Sequence, residues 1–164
     1  GPLPVGSLQG SKSDRLLGEG RTDMADSATS YGKPLPLMHG MNGQFYQHCK
    51  KKQLCFQSCK QCGKWRHVPR AMCAACGSWE WEWVASKGRG KVFTWTVVRR
   101  PMHPAFKDDA PYAPVVVQMD EGVRLVTSLI DCTPDEIQRG MPVEVVFDAV
   151  TPDVTLPKFR RLRS

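Results

Sequence analysis

Apolar and polar positions alternate in five short segments in the second half of the chain. Each segment is rich in Val, Leu or aromatic residues, and they cover residues 91–98, 113–120, 123–130, 142–149 and 154–162. Alternation with a period of two, broken by turn residues, predicts short half-buried β-strands. The breaks between most of these segments are short, so neighbouring strands are expected to pair antiparallel.

The spacing of the five strands indicates a particular barrel. Between the third and fourth strands, Thr133 and Glu136 have the spacing of a capping box and predict a helix. Five strands interrupted by one helix at this point is the order of an OB-type Greek-key barrel. We therefore predict a mainly β protein that ends in a five-stranded OB-fold barrel, with a tight turn at residues 119–122.

The part before the barrel has a different pattern. Phe45, Tyr46 and Cys49 have helical spacing, which predicts a helix over residues 41–51. The first residues begin Gly-Pro, contain no hydrophobic run and precede Met24, as the remnant of a cleaved tag would. The predicted divisions are a tag remnant at 1–23, an extended leader at 24–38, a helix plus ribbon at 39–83 and the barrel at 84–164.

Two Cys-x2-Cys pairs give the strongest chemical signal. Cys59 and Cys62 form one pair, Cys73 and Cys76 form the other, and a glycine follows each pair. Such a pair can direct both sulfurs at one ion, and the glycine permits the backbone turn that aims N–H groups at them. We predict a rubredoxin-like ribbon around one structural Zn²⁺ with four thiolate ligands. An iron electron carrier stays open, because four thiolates also bind iron.

The net charge of +7, together with a ribbon and an OB barrel, is also typical of a protein that binds single-stranded nucleic acid. However, period-two spacing puts Trp79, Trp81 and Trp83 on one face of a strand and Glu80 and Glu82 on the other, and carboxylates repel phosphate. We expect these rings to cover the junction of ribbon and barrel. The other candidate stacking rings have apolar neighbours and are expected in the core: Phe93, Trp95 and Phe147.

Signs of an enzyme are weak. His67 is expected to be a surface histidine of the ribbon hairpin. Cys132 and His103 could in principle form a nucleophile pair, but no motif in the sequence supports this pairing. No run of about 18 apolar residues predicts a membrane span. The cysteine pattern favours a reducing compartment, so we expect a cytoplasmic protein that is not an enzyme by itself.

Several stretches resemble a known family of small zinc-ribbon plus OB-fold proteins, described as acyl-CoA-associated and formerly a domain of unknown function. The resemblance runs from about residue 34 to 162. It is carried by Phe45-Tyr46 and by the stretches CKQCGKWRHVPRAMCAACGS, EWVASKGRGKVFTWTVV, PYAPVVVQMDEGVRL and GMPVEVVF.

The resemblance implies a non-catalytic accessory subunit. Such proteins dock on thiolase-fold enzymes, including lipid-transfer-type thiolases, aldolases and acyltransferases that act on acyl-CoA in steroid or fatty-acid side-chain degradation, and a 2:2 heterotetramer is the natural assembly. The apolar connection between the first two barrel strands is our candidate partner contact, through Met102, His103, Pro104 and Phe106. If CoA is contacted directly, the candidate phosphate ligands are Lys64, Arg66 and Arg70.

Overall fold

The computed structural model describes residues 31–162. The predicted tag remnant at 1–23 and the first part of the predicted leader lie outside the described residues. Within residues 31–162, no helix is both long and apolar enough to cross a membrane. The described chain consists of one α-helix, a small ribbon sheet and a larger sheet, as the mainly β prediction required.

Helix α1 spans Gly40–Lys50, within one residue of the prediction at each end. It buries Phe45 and Cys49, which lie one turn apart on the same face. The Phe45 ring stacks on Phe56 of the ribbon, with 6.5 Å between the ring centroids. The helix also contacts the last two strands of the barrel, so it joins the two sheets.

The ribbon is a three-stranded antiparallel sheet in the order β2-β1-β3. Its strands are β1 (Cys55–Cys59), β2 (Trp65–Arg66) and β3 (Trp81–Ala85). All of β1 except Ser58 is buried, because this strand lies between its two partners and under the helix. The ribbon therefore has one apolar face, which it buries against α1.

The larger sheet has five antiparallel strands in the order β6-β5-β4-β7-β8. They are β4 (Arg89–Trp95), β5 (Val115–Met119), β6 (Arg124–Thr127), β7 (Pro142–Ala149) and β8 (Thr155–Arg161). A parallel bridge between Leu129 and Phe159 brings the chain after β6 against β8. This bridge closes the sheet into the predicted OB-type barrel around a core that includes Val92, Val117 and Phe159.

The helix predicted between the third and fourth barrel strands is not an α-helix. The structure has one 3₁₀ turn there, at Pro134–Glu136. Its predicted cap is present, since the Thr133 N–H donates to Glu136 Oε2 at 2.7 Å. The turn stops because Ile137 has an extended backbone and buries its side chain in the barrel core. A second 3₁₀ turn, Pro104–Asp109, lies in the long connection between β4 and β5.

Phe93 does not occupy the predicted core position. The pairing of β4 with β5 shifts register between Val92 and Thr94, which marks a β-bulge at Phe93. A bulge changes the direction of a side chain, and here the half-buried Phe93 ring lies under the Arg124 guanidinium at 3.7 Å. The other two predicted rings, Trp95 and Phe147, are partly buried and pack on the core.

Candidate functional site

Four sulfur atoms from two loops converge at the end of the ribbon. Cys59 Sγ lies 3.6 Å from Cys76 Sγ, and Cys62 Sγ lies 3.7 Å from Cys73 Sγ. All four lie within 4.8 Å of one another. With a metal–sulfur distance of about 2.3 Å, the edge of a tetrahedral thiolate site is about 3.8 Å. The predicted cysteine set is therefore positioned to bind one tetrahedral metal ion.

The two cysteine loops have the same backbone geometry. Gly63 and Gly77 have φ values of 69° and 75°, and their N–H groups donate to the carbonyls of Cys59 and Cys73 at 2.8 and 2.9 Å. These positive φ values explain the glycine after each pair. Backbone N–H donors from Ala75 and Cys76 lower the pKa of the Cys73 thiol to about 6, which favours the thiolate that a metal requires.

A buried glutamine supports the ribbon behind the sulfurs. Gln57 is fully buried, and its Oε1 accepts from Arg66 Nε and from the Arg70 N–H, both at 2.8 Å. Arg66 Nη2 also donates to the Arg70 carbonyl at 2.9 Å. Two of the three nitrogens of the Arg66 guanidinium are thus bound within its own ribbon, whereas Nη1 is buried without a hydrogen-bond partner among the described residues. Of the predicted phosphate ligands, Lys64 and Arg70 have exposed side chains, whereas Arg66 is half-buried.

His67 is not the surface histidine that the sequence predicted. Its imidazole lies between two core rings, with centroids 5.0 Å from Phe45 and 5.4 Å from Phe56. Burial lowers its pKa to about 4, so the ring is neutral near pH 7. Within the described residues it is not part of the sulfur cluster. His67 therefore packs the ribbon hairpin onto the helix.

Two of the three tryptophans cover a contact between elements, but it is not the predicted junction of ribbon and barrel. Trp81 and Trp83 meet edge to face, with centroids 5.5 Å apart. Trp83 Nε1 donates to Gln44 Oε1 of α1 at 2.9 Å, and its ring lies 5.4 Å from His48. Trp79 is 69% exposed and takes no part in this contact. The rings thus cover the contact between ribbon and helix rather than the junction of ribbon and barrel.

The connection between β4 and β5 presents an exposed apolar tip. Met102 is fully exposed, and His103 and Pro104 are exposed beside it. Phe106 is half-buried and packs on Tyr112, with 5.8 Å between the centroids. Of the four predicted partner residues, three therefore face solvent, and Phe106 anchors the loop that carries them.

A salt bridge fixes this connection to the end of the leader. Lys33 Nζ lies 2.5 Å from Asp109 Oδ2 and 5.5 Å from the centre of the Phe106 ring. The ammonium group is thus held both by a carboxylate and by the face of an aromatic ring. These contacts link the base of the exposed tip to residue 33.

The proposed pairing of Cys132 with His103 finds no support in the structure. Cys132 lines a small cavity with Pro111 and Leu129, and His103 does not contribute to that cavity. Burial and the neighbouring Asp131 raise the pKa of the Cys132 thiol. A thiol of this kind is mostly protonated at neutral pH and is a poor nucleophile.

A groove at the meeting point of helix, ribbon and barrel was not predicted. This junction groove has a volume of about 550 Å³, and its lining includes Leu37, Tyr46, Val68, Arg124, Val126 and Leu156. Leu37, Val68 and Val126 are exposed at its edge. The sequence gives no sign of the groove, because its walls come from segments that lie far apart along the chain.

The fold and the arrangement of the four sulfurs together define the class of the protein: a four-cysteine ribbon and an OB-fold barrel that pack on a common helix. Residues 83–148 match the family described as "ChsH2, C-terminal OB-fold domain". A "DUF35 domain-containing scaffold protein" of Methanocaldococcus jannaschii is 34% identical over 113 residues, which are 66% of this chain and 77% of that protein. The chain belongs to the DUF35 family.

Two further relatives belong to enzyme assemblies by their descriptions. A solved structure described as "Ltp2-ChsH2(DUF35) aldolase" is 38% identical, with a TM-score of 0.70 over 77% of this chain and 98% of that chain. A "Probable enoyl-CoA hydratase alpha subunit" of Thermomonospora curvata is 36% identical over 140 residues, which are 85% of this chain. The match spans only 43% of the length of that hydratase subunit.

We predict that the sulfur cluster holds the ribbon together. Cys76→Ser should reduce the amount of bound metal from about one equivalent per chain to less than half an equivalent, because three thiolates bind an ion far less tightly than four. Metal analysis measures this loss, and the near-UV circular dichroism of the ribbon tryptophans reports the accompanying loss of packing. Cys132→Ser, which lies outside the cluster, is the control. Full metal content and an unchanged spectrum in Cys76→Ser would contradict the assignment.

We also predict a pH dependence that originates at His67. Its pKa is about 4 in the folded chain and about 6.5 in the unfolded chain, so only the unfolded chain takes up this proton as the pH falls from 7 to 5. The free energy of unfolding should therefore fall by about 2 kcal/mol between pH 7 and pH 5 through this residue, and by about 3 kcal/mol in all before the effect levels off near pH 3, below the folded-state pKa.

His67→Leu should remove this part of the pH dependence, while His103→Leu, at an exposed histidine, should keep it. Urea unfolding at constant free metal between pH 7 and pH 5 measures the difference. Identical pH dependence in wild type and His67→Leu would contradict the prediction.

Proposed function

We propose that this chain is a non-catalytic accessory subunit that docks on and stabilises a thiolase-fold enzyme acting on acyl-CoA. The observation that carries the proposal is the likeness to the "Ltp2-ChsH2(DUF35) aldolase" structure over 77% of this chain. The relatives described as a scaffold protein and as a hydratase alpha subunit support the same role. In this role the chain contributes surface and rigidity, and the partner enzyme carries out the reaction.

The exposed tip of the β4–β5 connection supports the proposal as a partner contact. A fully exposed methionine costs free energy in water, and burying it against another protein recovers that free energy. Phe106 and the Lys33–Asp109 pair already hold the loop in place. Docking through Met102 therefore requires little additional ordering of the chain.

We assign Zn²⁺ to the four thiolates, in a structural role. When bound, the ion acts only as a cross-link between the two cysteine loops, because four protein ligands leave no position for substrate. Lys64 and Arg70 flank this end of the ribbon with exposed side chains, and we propose them as contacts for the CoA phosphates within the complex. A coloured preparation with one equivalent of iron would instead support an electron carrier.

The function is tested by copurification. We expect the chain to co-elute as a 2:2 assembly with the thiolase-fold enzyme encoded beside its gene, and to raise the soluble yield of that enzyme. Size-exclusion chromatography with light scattering measures the mass of the assembly. The amount of enzyme in the soluble fraction, with and without this chain, measures the yield. An enzyme that never co-elutes with this chain and is equally soluble alone would refute the proposal.

The contact surface is tested by charge insertion. Met102→Asp should weaken the complex at least tenfold, because a carboxylate at a buried contact loses its hydration without gaining a partner. Ile130→Asp is the matched control, since Ile130 is also an exposed apolar residue of the barrel. Biolayer interferometry of both variants against the enzyme measures the dissociation constants. Equal weakening by the two variants, or by neither, would remove Met102 from the interface.

One observation favours a second function, the binding of single-stranded nucleic acid. Phe93 lies close to two arginines, with the guanidinium carbons of Arg124 and Arg139 at 3.7 and 5.7 Å from its centroid. Basic and aromatic groups on this face of an OB barrel are typical of oligonucleotide binding. Such binding to a fluorescent oligonucleotide would weaken steeply with salt and be lost in Arg124→Ala. No binding at low salt would exclude this function.

A further inference from the structure

Strand β6 has one edge that pairs with nothing among the described residues. Its other edge pairs with β5, in a register that places Leu125 opposite Val117. Backbone groups alternate in direction along an antiparallel strand, and the Val123 carbonyl accepts from the Met119 N–H of β5 at 2.9 Å. The backbone N–H and C=O groups of Leu125 and Thr127 therefore also point to β5. Those of Arg124 and Val126 point to the opposite side.

The next residue in this alternation shows what these groups can do. Ser128 continues the Arg124–Val126 series, and its carbonyl accepts from the Phe159 N–H of β8 at 3.0 Å. The Ile130 N–H then donates to the Phe159 carbonyl at 2.9 Å. The open edge of β6 is thus continuous with an edge that already accepts a strand. Before Ser128, however, β6 and β8 diverge and form no ladder within the described residues.

The junction groove occupies the space between the diverging strands. Arg124–Ser128 form one wall and Leu156–Lys158 of β8 form a second, while the rest of the lining comes from residues 36–37, helix α1 and the ribbon hairpin at 67–69. At the closed end, Thr127 Oγ1 already donates to the Pro157 carbonyl at 2.9 Å. The volume of about 550 Å³ lies within the range of established binding sites for ligands. The groove therefore has room beside an open strand edge.

The edge of β6 is short and carries one charged residue, but within the described residues it has no proline, bulge or lysine. Such edges are usually blocked by a proline, a bulge, a lysine or a covering segment. Here Arg124 is the only charged residue of β6, and Val126 is 70% exposed. Exposed Leu37 and Val68 extend the apolar surface on the far side of the groove. This combination is expected where another chain completes the sheet.

The charges of the groove favour one kind of occupant. Its lining includes the cations Arg124 and Lys158 and, among the described residues, no carboxylate. Lys158 already pairs with Asp148 at 2.6 Å. Arg124 donates through Nε to Gln118 Oε1 at 2.9 Å and lies over the Phe93 ring, but it has no carboxylate partner among the described residues. A second copy of β6 would add another arginine and no carboxylate to the groove. An extended segment that carries carboxylates as well as apolar residues fits both the charge and the surface.

We infer that the partner enzyme inserts an extended segment, with apolar residues and carboxylates in alternation, into the junction groove, where it adds as a strand to the open edge of β6. The inference rests on the proposed function, because the partner supplies the strand. Backbone hydrogen bonds to Arg124 and Val126 provide the binding, and the alternating side chains provide specificity. The docking surface is thus a strand edge in addition to the loop that carries Met102.

Val126→Pro tests the inference at the backbone. Proline removes the Val126 N–H, which points into the groove and takes no part in the ladder with β5, and proline is tolerated at such an edge position. We expect Val126→Pro to keep the melting temperature within a few degrees but to weaken the complex with the enzyme at least tenfold. Val126→Thr is the matched control, because it keeps the N–H and should bind within about threefold of wild type.

Amide hydrogen exchange, read residue by residue by NMR, gives a second measurement that does not depend on a variant. In the complex, exchange of the Arg124 and Val126 amides should slow at least tenfold, while the Leu125 amide should be protected in the free chain as well. Tenfold weaker binding in Val126→Pro with this protection pattern would support strand addition.

The remaining outcomes overturn specific statements. Wild-type affinity in Val126→Pro with unchanged exchange would exclude strand addition but leave the accessory role intact. The absence of any complex with the wild-type chain would contradict the proposed function itself. If the two amides were already protected in the free chain and lost protection on deletion of residues 1–30, the groove would belong to this chain's own N-terminal segment. If Val126→Pro did not fold, the exchange measurement would decide alone.

Discussion

The convergence of four sulfurs on one point is the constraint on which the other features depend. The four sulfurs are positioned to bind one ion, and an ion there would add to the stability that the small ribbon gains by packing on helix α1. The cysteine loops flank the hairpin that carries His67 and Val68. The first residue packs on Phe45 and Phe56, and the second forms part of the junction groove. The metal site therefore determines the shape of a surface that contains no sulfur.

Helix α1 transmits this order to the barrel. Its apolar face contacts β1 of the ribbon and also the last two barrel strands, and one hydrophobic cluster includes residues from all three parts. The division that we predicted at residue 84 stays a prediction, since a shared core does not define where one unit ends. A shared core does mean that ribbon and barrel present their exposed surfaces in a fixed relation, as a docking subunit requires.

Much of the fold could be predicted because it depends on local pattern. Alternation in β4 to β8, the helical spacing of Phe45 and Cys49 and the glycines after each cysteine pair are all properties of short segments. The errors have a common physical cause, which is competition from distant contacts. Ile137 is drawn into the barrel core and ends a helix after one turn, and a bulge moves Phe93 out of the core.

The candidate site divides in the same way. The cysteines could be found by spacing alone, whereas the burial of Gln57 and His67 depends on the helix that covers them. A glutamine within an apolar strand indicates a buried polar contact. Its partner is Arg66, which the sequence alone suggests as a ligand of a CoA phosphate. The junction groove left no trace in the sequence, since only the closed barrel brings β6 and β8 near the hairpin.

The seven cysteines fall into two groups by position: four converge at the end of the ribbon, and three lie elsewhere. Cys49, Cys55 and Cys132 are shielded thiols, and burial raises the pKa of each, that of Cys49 to about 12. Such thiols react slowly with electrophiles and peroxides, whereas thiolates outside a metal complex react readily. Oxidation of the cysteines is therefore expected mainly when the four ligands hold no ion. Without an ion, an oxidising environment would favour disulfides among the four ligands, whose sulfurs lie in two pairs at 3.6 and 3.7 Å.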